Sequence, residues 1–430
     1  MSSGTIFVLF FVLLALAIPI STTLGIVSIV PSLYNSSFPA NAQYIIRAMF
    51  AGMDSFPLLA IPMFVLSGIL MARGGVSKKL FNIFSYFIGD KTAGMPCAVI
   101  ITCLFYGAIS GSAPATVAAV GSMTIPILIN LGYDKAFTTA LVAVAGGLGV
   151  IIPPSIPFIL YGMSTGTSVG ELFIAGVIPG LLIGFLLMIY AYYYCKKNGE
   201  DKEKINASVK ELRDKGFLTV LMDSSWALLT PVIILGSIYS GIASPTEAAV
   251  LSVIYALFIS LFVYKTLKIK ELWNIFIEAV RTFTPLLFII SAAIAFSRVL
   301  TLLQVPQTVA SVITSTFSEK VAILLVINAF LLFVGMVMDT TPAILILSPM
   351  FMPIIQTIDV NPIHFGVIMV VNLAIGFVTP PVGVNLFVAS SLTGVPVLSI
   401  SKKAIPLTIM FLIALLCITF IPEISMILVS

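Results

Sequence analysis

Gly146-Gly-Leu-Gly-Val-Ile-Ile-Pro-Pro-Ser-Ile-Pro157 is the stretch whose reading decides the fold. Its flanks, Phe137–Ile152 and Phe158–Tyr161, are apolar enough for lipid. Two successive prolines remove two backbone donors and push the preceding residue out of the helical region. Carbonyls left bare at bilayer depth are costly unless protein buries them or they line a polar cavity. Proline and glycine are common in spanning helices, so a plain kink would be the simpler account. Against it stands a recurrence: the break returns at Gly376-Phe-Val-Thr-Pro-Pro-Val-Gly-Val-Asn385.

Composition supports the membrane setting. Of 430 residues, 60% are hydrophobic and 9% charged, with a mean hydropathy of +1.17, which excludes a soluble globule. The apolar runs are about 17–25 residues long, enough to cross roughly 30 Å of hydrocarbon as helices. A barrel would show short alternating segments instead. The expected fold class is an all-α polytopic membrane protein. The net charge of +4 is small and lies in loops, so the lipid bilayer is implied as a partner and nucleic acid is not. Cys97, Cys103, Cys195 and Cys417 lack metal-ligand spacing and His364 is the single histidine, so no transition-metal site is expected. The motifs of zinc hydrolases, serine hydrolases and Walker A loops are missing, which speaks against an enzyme and against ATP use.

In chain order, residues 4–33 read as a first, retained membrane helix, too long for a signal peptide and without its basic start. A span from about Met49 to Ala72 follows, then a short aromatic piece at Phe81–Ile88. Lys196–Lys215 is a charged loop with seven basic and five acidic residues. Lys265–Arg281 places Lys270, Asn274, Glu278 and Arg281 on one helical face, the pattern of a helix lying in the interface.

The chain is duplicated. Pro57-Leu-Leu returns as Pro285-Leu-Leu, an offset of 285 − 57 = 228. Met123 and Pro126 return as Met350 and Pro353, and Gly149 with Pro153-Pro154 as Gly376 with Pro380-Pro381, all 227 apart. A register kept within one residue over this distance marks two copies, roughly 45–180 and 273–407. The basic segments Lys196–Lys215 and Lys265–Lys270 both belong on the cytoplasmic side, with two spans between them. The first copy therefore ends inside and the second begins inside. Inverted repeats of this kind are the signature of a secondary transporter.

Each copy carries two interruptions: Ser110-Gly-Ser-Ala-Pro114 with Pro153-Pro-Ser155, and Asp339-Thr-Thr-Pro342 with Thr379-Pro-Pro-Val-Gly383. The first of each pair suits a re-entrant hairpin, and the second splits a span into half-helices. Half-helix N-termini favour anions and exposed carbonyls favour small cations. The expectation is a pair of Na⁺ sites, one from Ser110, Ser112, Gly149 and Ser155, the other from Asp339, Thr340, Thr341, Thr379 and Gly383. An anionic substrate would lie between the hairpin tips, with Gly111, Pro154 and Asn385 facing its cavity. Alone, the serines would read as small residues for close helix packing, and Asp339 as an N-cap. Asp339 is nevertheless the only acid between Glu319 and Asp359, and an intramembrane acid is functional by default. Arg298, within the apolar run Pro285–Leu303, offers a charge to neutralise a substrate carboxylate, but snorkelling to the outer interface or meeting another subunit is the favoured reading.

Gly107-Ala-Ile-Ser-Gly-Ser-Ala-Pro-Ala-Thr116, Gly149-Val-Ile-Ile-Pro-Pro-Ser155 and Thr379-Pro-Pro-Val-Gly-Val-Asn385 together resemble the large, DctM-like membrane subunit of tripartite ATP-independent periplasmic (TRAP) transporters, most like the sialic acid (N-acetylneuraminate) type. The resemblance covers nearly the whole chain. It implies a bacterial inner-membrane permease without an organic cofactor, driven by Na⁺ as coupling ion. It also implies a separate periplasmic substrate-binding protein, a small four-helix membrane subunit and carboxylated substrates. On the family's elevator mechanism, 92–165 and 319–395 would move. Residues 1–44 would hold the first membrane helix, and 45–91, 166–305 and 396–430 would be scaffold, with 306–318 a connecting segment. The rival readings are a stand-alone Na⁺/dicarboxylate symporter of related fold and, from another class, an ion channel. A channel would need a repeated filter or a ring of charge.

Overall fold

The computed structural model describes residues 3–429, and every regular element among them is helical. The first copy begins after α1 (Ser3–Ala15) and α2 (Ile20–Tyr34) with α3 (Ala42–Met53), α4 (Ala60–Arg73) and α5 (Val76–Ile88). Its hairpin is α6 (Gly94–Ser110) and α7 (Ala113–Asn130), its broken span α8 (Lys135–Ala145) and α9 (Ile156–Thr165), its last helix α10 (Val169–Asn198). Between the copies lie α11 (Lys202–Asp214), α12 (Phe217–Tyr239) and α13 (Pro245–Phe258). The second copy runs α14 (Ile269–Leu302), α15 (Val305–Thr316), the hairpin α16 (Lys320–Val337) and α17 (Thr340–Thr357), the broken span α18 (Pro362–Gly376) and α19 (Val384–Thr393), and α20 (Val397–Phe420). Nine helices among the described residues are long and apolar enough to cross a membrane.

The duplication holds at the level of elements. Helices α7 and α17 match end to end with an offset of 340 − 113 = 227, and each copy breaks at a prolyl–prolyl bond, both of them cis. Residues 306–318, expected as a connecting segment, lie mostly in α15, the counterpart of the amphipathic α5.

Three expectations change. The first membrane helix is two helices, because Pro19 caps α2 and the chain turns through Ala17 at φ +60°. At 13 and 15 residues these are about 20 Å long, short of a full crossing. The interfacial helix is not a separate element. It is the first half of α14, whose 34 residues run without a break past Pro285 for about 51 Å. The charged loop contains α11, started by the Asp201 carboxylate accepting from Lys204 N–H at 3.2 Å and seated on Ile205 and Val209.

Packing sorts the helices into two groups. Helix α14 braces α2, α3 and α4, α4 packs on α13 and α12 on α5, while α14 also meets α17 and α5 meets α6 across to the other group. The other group is built around the broken spans: α10 packs on α20, α6 and α18, and α20 on α8. Both α10 and α20, expected among the scaffold, thus share their cores with the broken helices. A buried polar ladder ties this group, with Asn372 Nδ2 donating to Asn328 Oδ1 and Asn328 Nδ2 to Thr419 Oγ1, each at 2.9 Å. On the side of the basic loops, Glu200 accepts from Tyr133 Oη at 2.6 Å and from Ala93 N–H at 3.1 Å. Burial, and then the Glu200 carboxylate, push the Tyr133 pKa far above the usual phenol range, so it stays a donor.

Candidate transport site

The first hairpin turns at Gly111-Ser112. The Ser110 hydroxyl lies 2.9 Å from that of Thr116, which donates to the Ser112 carbonyl at 2.8 Å. Ile156, opening α9, donates its N–H to Gly111 O at 3.3 Å. The approach depends on glycine: a Cβ on Gly107 would stand 2.8 Å from Gly149 Cα, and one on Gly149 2.4 Å from Thr116 Oγ1. The structure therefore brings Ser110, Gly111, Ser112, Gly149 and Pro154 into one unit, with Thr116 as a further member. Ser155 has a local part in the fold. Its hydroxyl donates to Val150 O and accepts from Phe158 N–H at 3.4 Å, capping α9 and holding the shape of the break.

The second unit is arranged otherwise. Gly335 and Gly376 meet backbone to backbone, a Cβ on Gly376 falling 2.2 Å from Gly335 O. Val382 N–H donates to Met336 O at 3.1 Å, joining break to hairpin as Ile156 does in the first copy. Asp339 occupies the cap position of α17 without closing a cap hydrogen bond. It lies against the Thr340 and Thr341 amides and the Thr341 hydroxyl. Thr379 is bonded back to Ile375 O at 2.8 Å, and Gly383, at φ +50°, starts α19. The first break is buried throughout, whereas Pro380, Pro381 and Val382 are exposed.

A cavity of about 670 Å³ opens at the first hairpin tip. Ser110, Ser112, Ala115, Ala118, Ala119 and Ser122 form one wall, and Gly68, Ala72, Arg73 and Lys78 face them. Glu278 and Thr282 of α14 complete it, with Glu278 paired to Arg73. Of the residues expected to face a substrate cavity, Gly111, Pro154 and Asn385 are buried. Gly111 and Pro154 are turned toward each other. Asn385 donates from Nδ2 to Ala143 O in α8 at 3.0 Å, and its Oδ1 has no partner among the described residues. The wall residues were legible in part: Ala115, Ala118, Ala119 and Ser122 follow the tip at helical spacing, so one small-residue face of α7 was on view.

A family profile described as "Tripartite ATP-independent periplasmic transporter, DctM component" matches residues 7–424. The chain belongs to the DctM family. The permease is 44% identical over 97% of its length to the isethionate TRAP transporter permease protein DctMQ of Oleidesulfovibrio alaskensis, and spans 65% of that relative. It is 41% identical to the C4-dicarboxylate TRAP transporter large permease protein of Pseudomonas aeruginosa, covering 90% of each chain. The sialic acid TRAP transporter large permease protein of Vibrio cholerae is 34% identical, over 89% of this chain and 88% of its own. Among solved structures, the Alcanivorax borkumensis YdaH transporter shares the fold, with a TM-score of 0.61 at 15% identity and 89% of each chain covered. The permease is thus a transporter component, not an enzyme, and a multi-pass protein of the bacterial inner membrane.

Proposed function

We propose that the permease imports a small organic anion by Na⁺-coupled alternating access, its substrate delivered by a periplasmic binding protein and its scaffold completed by a small membrane subunit. The observation that carries this reading is the pairing of each hairpin tip with its own broken helix, beside a cavity that reaches the side of Arg73 and Lys78. With the basic loops in the cytoplasm, that cavity faces inward. Hydroxyl and carbonyl oxygens gathered at the first tip suit a small cation, and the second adds the Asp339 carboxylate. One Na⁺ pocket would draw on Ser110, Ser112, Thr116 and Gly149, with Ser155 as a brace. The other would draw on Asp339, Thr340, Thr341, Thr379 and Gly383. The moving body would comprise α6–α10 and α16–α20, since α10 and α20 pack with the broken spans; α1–α4 and α12–α14 would stand still.

The relatives named above act on isethionate, C4-dicarboxylates and sialic acid. Their common chemistry is a carboxylate or sulfonate on a polar body, and sialic acid, which the sequence resemblance favours, is one of three candidates. The test is uptake into proteoliposomes holding the permease, its small subunit and a cognate binding protein. Uptake of one of these anions is expected only with an inward Na⁺ gradient. Equal uptake without Na⁺ would reject the coupling, and uptake without a binding protein would favour a stand-alone symporter.

A further inference from the structure

Helix α14 touches two separate hollows on different faces, since sixteen residues turn an α-helix by about 160° beyond whole turns. Glu278, Thr282 and Leu286 line the inward cavity, and Ile294, Ser297 and Arg298 line a second pocket of about 310 Å³ further along the helix. From Thr282 to Arg298 is 16 residues, about 24 Å of helix rise. Since α14 starts next to the basic segment Lys265–Lys270, Arg298 stands near its outer end. The pocket lies at the joint between the two groups of helices. Ser55 and Gly52 come from the α3 side, Ser164 from the end of α9, and Pro349 from α17. Arg298 is exposed and has no hydrogen bond or ion pair among the described residues. Arg73, by contrast, is neutralised by Glu278, and Lys79 by Asp223 at 2.8 Å. An unpaired guanidinium among hydroxyls, at the edge of the hydrocarbon, is arranged to receive a planar or trigonal oxyanion through its two-pronged donor edge.

We propose that Arg298 is an outer receiving site for the carboxylate or sulfonate of the substrate. It is occupied when the moving body stands outward and left behind as that body travels inward along α14. The inference rests on the transport reading above and adds a specificity residue at the opposite end of the path from the inward cavity.

The experiment uses the permease reconstituted with its small subunit and binding protein, comparing wild type with Arg298→Gln and Arg298→Lys. The probe is whichever of isethionate, a C4-dicarboxylate or sialic acid the wild type takes up. Arg298→Gln is expected to raise the half-saturating concentration of loaded binding protein by about tenfold or more, the scale of a lost charge-assisted hydrogen bond. Its Na⁺ dependence should be unchanged, and Arg298→Lys should recover part of the loss. Exit of substrate from preloaded vesicles whose inner cavity is intact should remain Na⁺-dependent in both variants. An unchanged half-saturating concentration in a folded Arg298→Gln complex overturns the proposal. So does loss of the small subunit, or of binding-protein docking, from that variant, because Arg298 would then be a subunit contact. Should the wild type move none of the anions, the transport reading fails first and Arg298 falls with it.

Discussion

The two hairpin units come from one ancestral plan and yet stand differently in the protein. In the first, α6 and α7 pack along each other, the tip hydroxyls bond among themselves and the broken helix behind them is buried. In the second, α16 and α17 splay apart, each packing mainly on other helices, and the break at Pro380–Val382 is exposed. The first unit satisfies its polar groups internally and presents one hydroxyl-bearing wall to the cavity. The second holds a carboxylate, Asp339, without a cap bond to complete. Duplication has preserved the glycine contacts that bring hairpin to break and has let charge and packing diverge around them.

The largest effect is expected where the two units are most alike in design but unequal in tightness. Gly376→Ala places a Cβ 2.2 Å from Gly335 O, against 2.4 Å from the Thr116 hydroxyl for its counterpart Gly149→Ala. Backbone cannot yield as a side chain does, so Gly376→Ala should exceed the about 1–3 kcal/mol typical of overpacking and abolish monodisperse protein in size-exclusion chromatography. Gly149→Ala should survive with a lowered melting temperature. Equal tolerance would show that the second contact is as forgiving as the first.

Next comes the difference in charge. Asp339→Asn should cut Na⁺-driven uptake by about tenfold or more with the fold intact, since an intramembrane carboxylate is removed. Ser110→Ala, which loses one hydroxyl from a self-bonded cluster, should have a smaller effect on the same initial rates. The reverse order would break the comparison. A smaller effect again is expected from Tyr133→Phe, which takes one donor from the buried Glu200 while leaving the Ala93 N–H and Lys202. The expected loss is about 1 kcal/mol, seen as a modest thermal shift.

The smallest effect is a pH dependence outside both units. Asp90 accepts from Arg213 Nη1 at 2.9 Å, and this bond above all holds its carboxyl below the usual range. The stabilisation is present in full above the ordinary carboxylate pKa and fades as pH falls through the lower folded-state value. The pair is exposed and screened, so no more than about 0.2–1 kcal/mol is at stake. Arg213→Gln should flatten the acid limb of the stability curve only slightly.

Much of this was legible because prolines and glycines leave their mark at fixed offsets. The paired breaks, the inverted copies and the hairpins all followed from Pro153-Pro154 and Pro380-Pro381 with their neighbours. What stayed hidden depended on side-chain company that no spacing shows. Pro285 and the change of face near Arg281 looked like a boundary, but α14 continues through them, packed against α2, α3 and α4. Pro19 was the available sign that the first apolar run is two helices. Asp201, followed by Glu203 and Lys204, was the available cap of α11 inside a stretch dominated by its charge. In the site, backbone amides and carbonyls did much of the joining: Gly111 O accepts from Ile156 N–H and Asn385 Nδ2 donates to Ala143 O, while Asn385 Oδ1 has no partner among the described residues.

The Asn385 side chain reaches from the second copy to the Ala143 carbonyl of the first, a stitch between the halves beside that of Tyr161 Oη to Pro362 O at 2.7 Å. Slackening at one pocket would then be transmitted to the other, and a half-loaded carrier would lack the rigidity to complete its journey. On that hypothesis the stitch guards against squandering the sodium gradient on empty trips. Asn385→Leu should raise substrate-independent Na⁺ flux in vesicles, and a flux no greater than wild type would remove the idea.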